Sequence, residues 1–471
     1  MNSKLSILAL SMGLLLACIA GCEGPEGPAG APGTPGEPTQ QYTYLGDDIN
    51  ACNHCHGETV TTWSATAHPG AYAALVAAGS QNNLYCVQCH VTGFDATVSY
   101  GDSVINTPGP DLSGWDDYWP AGNEEDSLRL VHLEGVQCEA CHGPMGPTIY
   151  DHAPTMNFYT GTIDDPEPSM CAKCHEQVEE WQESGHGMVL ETHSMTLEEF
   201  NDEWNGSNTC APCHTGDGFA EANDPYWTAA GRSEEAHLIG CQACHDPHED
   251  ANEAQLRNLD PYTVIYDVEN AATFQGYGTA QTCVQCHHAR RSVSNVEGQI
   301  ANGYAHFGPH GSPQMDMFVG SGSYEIDGYT YDRDHTHQAL SKSCVTCHMT
   351  TREHSDPLGW KGGHDFEASV AACQGCHPDL TTEGVFDHGG GQTEIEDLMG
   401  QLLAAIGVPE DSLGSATATT VEQRMAGYAY AFVQSDGSRG VHNPAYAKAL
   451  LENALAFLAT SSSTYAQNSR K

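Results

Sequence analysis

Cations are scarce in this 471-residue chain: Lys and Arg number 16 against 62 Asp and Glu, a formal net charge of −46. A phosphate backbone would be repelled by that field, which excludes nucleic acid as a partner. The usual core-building residues are short as well. Leu, Ile, Val and Phe make up 75 of the 471 residues, a share at which so charged a chain usually stays disordered. Beyond the first 20 residues no long apolar run occurs, so the body has no helix suited to crossing a membrane. In excess are Cys, with 20 residues, and His, with 26. Something other than side chains can therefore supply the missing interior.

The N-terminus reads as an address. Met1–Gly21 has a positive start at Lys4 and a short apolar stretch, Leu5–Ala20, as in a secretory signal. Its end, Ile19-Ala20-Gly21-Cys22, resembles the lipobox of bacterial lipoproteins. That resemblance implies cleavage before Cys22, lipidation of its thiol and stable anchoring by more than one acyl chain. Glu23 rather than Asp follows, which favours the outer membrane. Gly24–Pro38 then runs through five Gly-X-Y triplets, the collagen period. An extended, Pro-stiffened spacer is one reading of it; a homotrimeric stalk is the other.

The remaining Cys fall into nine CxxCH motifs. In chain order they are Cys52, Cys55 and His56; Cys86, Cys89 and His90; Cys138, Cys141 and His142; Cys171, Cys174 and His175; and Cys210, Cys213 and His214. Then come Cys241, Cys244 and His245; Cys283, Cys286 and His287; Cys344, Cys347 and His348; and Cys373, Cys376 and His377. Eighteen Cys are used, and the other two, Cys18 and Cys22, lie in the leader. CxxCH is the attachment motif of haem c. Its two thiols form thioethers with the porphyrin vinyl groups, and its His is the proximal iron ligand. Zinc ribbons pair their Cys differently, and a redox CxxC has no need of a following His. The motifs predict nine haem c groups, which would also fill the interior and leave the apo chain largely unfolded. Crowded haems make electron transfer between neighbours the expected outcome.

Seventeen His lie outside the motifs, enough for nine bis-His irons. Nine are candidate distal ligands: His68, His132, His186, His237, His288, His310, His337, His364 and His442. His68 and His186 share a Trp-led setting, and His132 and His237 each precede a motif. His152, His248, His306 and His335 are reserves. His54 lies inside a CxxCH loop and reads as structural, and His193, His354 and His388 carry no usable signal.

The expected fold is mainly α with much irregular loop, a multihaem cytochrome c fold organised around its cofactors. Residues 1–21 are the signal, 22–45 the anchor and Gly-X-Y linker, 46–390 the haem body and 391–471 a C-terminal helical segment. Asn106–Gly122 reads as loop. Tyr324–Tyr331, around Asp327-Gly328, predicts a small hairpin with a type I′ turn. Helical faces recur at Ile395, Leu398, Leu402 and Ile406, and at Val421, Met425, Tyr428 and Phe432. Asn443-Pro444 opens a third helix, through about Thr460, with Ala447, Leu450, Leu451, Ala454, Leu455 and Leu458 as its stripe. These helices pack over the last haems or form an oligomer interface.

HLEGVQCEACHGP, HFGPHGSPQMD, CVTCHM followed by GGHDF, and GVHNPAYAKALL resemble multihaem cytochromes related to ammonia-forming nitrite reductase, hydroxylamine oxidoreductase and octahaem cytochromes. The resemblance implies that His364 and His442 are distal ligands and that long C-terminal helices pack on the haems or join subunits. Typical ammonia-forming nitrite reductases attach their catalytic haem through a motif ending in Lys, whereas all nine motifs here end in His. His288-Ala289-Arg290-Arg291 is the one cationic cluster beside a motif; it would sit over an open iron or pair with haem propionates. Two functions follow. One is an electron-transfer conduit at the outer membrane or cell surface, serving other multihaem cytochromes, outer-membrane conduits or extracellular metal and mineral acceptors. The other is an oxidoreductase of small nitrogen or sulfur oxyanions with one open-coordinate haem. The acidic surface favours the conduit over steering of anions.

Overall fold

Three C-terminal helices make the part of the molecule that resembles an ordinary protein core. Gly390 and Gly407, both at positive φ, bracket Gly391–Ile406, which buries Ile395, Met399, Leu402 and Ile406. Val421–Asp436 starts on a reciprocal cap: Thr420 Oγ1 accepts from the Gln423 N–H at 3.2 Å, and Gln423 Oε1 accepts from the Thr420 N–H at 2.7 Å. This helix is buried around most of its girth, on Tyr428, Phe432 and Val433 but also Arg424 and Ala426, so the expected single stripe was too narrow. Val421 is exposed. Pro444–Asn468 is capped by Asn443 Oδ1, which accepts from the Tyr446 N–H at 3.0 Å. Its Ala447, Leu450, Leu451, Ala454 and Leu458 are buried. Together the three pack with residues between Phe274 and Tyr331 in one apolar cluster.

The computed structural model describes residues 44–46, 49–94, 99–100, 103–104, 114–144, 171–223, 237–263, 273–304, 306–350, 352–353, 360–361 and 363–468. The signal segment, Cys22, the Gly-X-Y run, His152 and His354 lie outside them. The described residues belong to one compact unit. It is mainly helical, with short helices joined by irregular segments. Strands are limited, among the described residues, to three antiparallel pairs of two residues each: Ser99–Tyr100 with Ser103–Val104, Tyr262–Thr263 with Thr273–Phe274, and Arg352–Glu353 with Trp360–Lys361. None of the described helices is long and apolar enough to cross a membrane.

Two sequence expectations need correction. Tyr324–Tyr331 turns at Asp327-Gly328 but forms no strand ladder. Gly328 is at φ +88° while Asp327 is not at positive φ, so the turn is not type I′. The arms are joined instead by the Ile326 N–H donating to Tyr331 Oη at 2.7 Å. Within Asn106–Gly122, Trp115–Tyr118 is a helical turn, and Trp115 is almost fully buried beside Leu75, Val87, Val91 and Leu133. In the N-terminal half of the described chain apolar clusters of this kind are small. The other gathers Trp181, Phe200 and Leu238.

Candidate haem sites

The attachment motifs fold locally as tight turns, most of them helical. Cys138–His142 and Ser343–His348 are helical throughout. His175, His245, His287 and His377 each donate a backbone N–H to the carbonyl of the first Cys of their own motif, at 2.8–2.9 Å. Positions i, i+3 and i+4 share a helical face, so the two thiols and the imidazole of a motif turn to one side. That side is a continuous cavity of about 2880 Å³, to which all nine motifs contribute. A pocket for one small ligand is commonly about 300–1,000 Å³, so this space suits several large cofactors.

Across it, motif imidazoles face imidazoles from distant segments at a nearly constant separation. Ring centroids lie 6.3 Å apart for His175 and His68, 6.2 Å for His142 and His248, and 6.2 Å for His287 and His186. They lie 6.3 Å apart for His214 and His310, 6.3 Å for His245 and His364, 6.2 Å for His348 and His442, and 6.1 Å for His377 and His337. Two metal–nitrogen bonds of about 2 Å each and two ring radii account for such a distance, which leaves room for one iron between each pair. A stacking contact would bring the rings closer, as with His377 and His388 at 4.0 Å. Among the described residues no three metal-ligating side chains converge on a point, so the recurring unit is the pair.

Hydrogen bonds at Nδ1 aim several of these rings. His90 bonds Ala71 O at 2.8 Å, His245 bonds Ala254 O at 2.8 Å, His348 bonds Phe366 O at 2.8 Å and His337 bonds Val441 O at 3.0 Å. With Nδ1 donating, Nε2 carries the lone pair a metal needs. Burial, then neighbouring His248 and His56, pulls His142 down to about 4. Burial, then His287, does the same for His186, and burial, then Arg290, His310 and His193, for His214. Desolvation opposes the charged form, so these rings are neutral at pH 7. His442 is the exception: burial lowers its pKa, but the Asp436 carboxylate reverses the effect and leaves it raised.

Close backbone approach sets the distal segments. Val136 donates its N–H to His68 O at 3.0 Å, beside Gly135 at φ +80°, where a Cβ would meet Pro69 O at 2.3 Å. Gly363, at φ +76°, likewise lies against Met349 and delivers His364, whose N–H donates to the buried Glu180 carboxylate at 2.7 Å.

Six of the nine sequence candidates thus face a motif His: His68, His186, His310, His337, His364 and His442. The reserve His248 makes a seventh pair; its N–H donates to Asp246 Oδ1 at 2.9 Å in the Asp-Pro-His turn after His245. The other three candidates are placed differently. His132 ends the helix Glu124–His132 and is exposed. His237 is buried with Nδ1 2.6 Å from Asp217 Oδ2. His288 stacks on Tyr262 at 4.0 Å and bonds Ala289 O through Nδ1 at 3.0 Å. Of the other reserves, His335 spends its Nε2 on Phe318 O at 2.6 Å, and His306 is exposed. Among the described residues no imidazole is placed in this manner opposite His56 or His90.

The thiols add a second pattern. Thiols of different motifs lie beside one another: Cys52 and Cys138, Cys89 and Cys174, Cys171 and Cys241, Cys213 and Cys286, and Cys283 and Cys344. Cys89 Sγ also donates to Lys173 O at 3.4 Å, Cys213 Sγ to Gln285 O at 3.8 Å and Cys286 Sγ to Pro212 O at 3.9 Å. Neighbouring attachment sites therefore meet at their sulfur edges. Two thiols and an imidazole per turn, a second imidazole opposite and a shared cavity are what haem c requires, and the residues present fit it.

Residues 51–109 and 170–246 match the model of the family described as cytochrome c554 and c-prime. A search of the curated proteins finds no match. The chain is similar in fold to an undecahaem cytochrome from the S-layer of Carboxydothermus ferrireducens, at a TM-score of 0.52 and 18% identity, covering 89% of this chain and 70% of that one. It is similar also to the outer cell wall cytochrome OcwA, at a TM-score of 0.50 and 19% identity, covering 88% of this chain and 99% of the other. A cytochrome c nitrite reductase from Desulfovibrio desulfuricans aligns over 53% of this chain at a TM-score of only 0.30, too low to indicate a common fold. Family match and fold agree with what the motifs require: the chain has the fold of a multihaem c-type cytochrome.

Proposed function

We propose that this cytochrome is an electron conduit, holding nine haem c groups at its nine CxxCH motifs and working at the cell surface. The recurrent 6.1–6.3 Å separation of seven imidazole pairs carries the reading, because an iron with two His ligands is closed to substrate and suited to electron transfer. His68, His248, His186, His310, His364, His442 and His337 are the distal ligands of the haems at His175, His142, His287, His214, His245, His348 and His377, respectively. The thiol contacts support three groups of neighbouring sites. The first motif neighbours the third, the fourth neighbours the second and the sixth, and the seventh neighbours the fifth and the eighth. The haem supplies the one-electron chemistry; the chain's own residues hold it, orient its ligands and keep water from it.

Lipidation at Cys22 and export of the body would place it on the outer membrane, and similarity in fold to S-layer and outer cell wall cytochromes is in keeping with that. Its partners would be other multihaem cytochromes, outer-membrane conduits or metal-bearing acceptors, approached through a cationic or mineral surface that the net charge of −46 attracts. Trimers form if the Gly-X-Y segment winds with two others. The test is a pyridine haemochrome assay with electron-spin resonance of the oxidised, full-length protein. Nine haems per chain, at least seven of them low-spin, are expected. A high-spin iron that shifts on adding nitrite or hydroxylamine would replace the conduit by the oxidoreductase.

A further inference from the structure

Two of the imidazole pairs sit in opposite electrostatic surroundings. Behind His442 stands Asp436, the last residue of the helix Val421–Asp436, with its side chain wholly buried. Asp436 Oδ1 accepts from His442 Nδ1 at 2.6 Å. Its Oδ2 accepts from the Ser438 N–H at 3.2 Å and from the Ser438 hydroxyl, whose Oγ also accepts the His442 N–H at 3.1 Å. A carboxylate on the far nitrogen makes an imidazole a stronger donor to its metal, and the carbonyl end of the helix adds partial negative charge.

At the pair of His214 and His310 the charge is reversed. The Arg290 N–H donates to Pro309 O at 3.2 Å, next to His310, and the Arg290 side chain lines the cavity. Nε of Arg290 and Nε of Arg291 are both buried without a hydrogen-bond partner, and among the described residues neither guanidinium has a carboxylate within ion-pair distance. The nearby Asp316 spends Oδ2 on the Ala289 N–H. A half-buried cation with no counter-charge favours an anionic partner, and the anions available to a haem site are the cofactor's own carboxylates.

We infer that Arg290 and Arg291 hold haem carboxylates at the His214 site and raise its reduction potential, while Asp436 acts through His442 as a positioning residue that lowers the potential at the His348 site. The inference rests on the bis-His assignment above. Net positive charge disfavours the ferric state, and negative charge together with a stronger donor favours it. The seventh motif lies between the two sites, through Cys213–Cys286 on one side and Cys283–Cys344 on the other. An electron shared among the three therefore rests preferentially towards the fifth motif.

Spectroelectrochemical titration of the full-length holoprotein tests this. Asp436→Asn should move one midpoint potential upward. Arg290→Gln with Arg291→Gln should move a different one downward, and Arg290→Lys with Arg291→Lys should retain the original value. Unchanged midpoints, or shifts of the opposite sign, with the haem count and low-spin signals intact, overturn the inference alone. Loss of the bis-His signals in the unmodified protein would instead remove the assignment beneath it. If a double variant fails to assemble, Arg290→Gln and Arg291→Gln singly carry the same expected direction.

Discussion

A distal candidate is recognisable by the motif imidazole it faces, not by how its second nitrogen is spent, since His237 and His288 also bond through Nδ1. His337 and His442 present one nitrogen to a facing motif imidazole because the other is held by a carbonyl or a carboxylate. His288 stacks on Tyr262 and His335 meets Phe318 edge-on, and neither pairs with a motif ring at the 6.1–6.3 Å separation. The difference predicts mutational effects that sequence position does not. His248→Ala should turn one low-spin iron high-spin, read by electron-spin resonance, whereas His132→Ala and His288→Ala should leave the low-spin count unchanged. A reversed outcome would exchange His248 for one of those residues. The choice was not legible beforehand, since His288 and His248 both lie within four residues of a proximal His. Only the Asp246 turn swings His248 away from its own motif towards His142.

Among elements, the short helical turn of CxxCH and the three long C-terminal helices follow from local rules, and their ends do so most plainly. Thr420→Ala removes a reciprocal cap and should cost about 1 kcal/mol. Asn443→Ala should cost more, about 2 kcal/mol, because the buried Asn443 also donates Nδ2 to the carbonyls of Phe318 and Arg333. Urea unfolding followed by circular dichroism ranks the two; equal losses would mean that Asn443 acts as a cap alone. The hairpin at Tyr324–Tyr331 shows where local reading fails. Alternating apolar residues were real, but Tyr446 Oη claims Glu325 and Tyr331 Oη accepts the Ile326 N–H, so the arms are held by the core and by one side-chain bond between them rather than by a backbone ladder.

At the scale of the whole molecule, the interior is of two kinds. Residues between Phe274 and Leu458 share a large apolar cluster, while the motif-rich remainder surrounds a cavity with small clusters at its margin. Cofactor removal should separate them. A chain produced without haem attachment should keep hydrogen-exchange protection in Gly391–Ile406, Val421–Asp436 and Pro444–Asn468 and lose it between residues 49 and 263. Uniform protection throughout would show that the polypeptide alone supplies the core. The sequence by itself determined the class of cofactor, the positions of the CxxCH motifs and the C-terminal helices, because CxxCH spacing, caps and helical periodicity act within a few residues. Tertiary structure alone decided which imidazole faces which, which sulfurs meet, and where unpaired Arg and buried Asp lie. Those pairings span as many as 119 residues, as between His245 and His364, and follow from how segments close around a shared cavity rather than from any local preference.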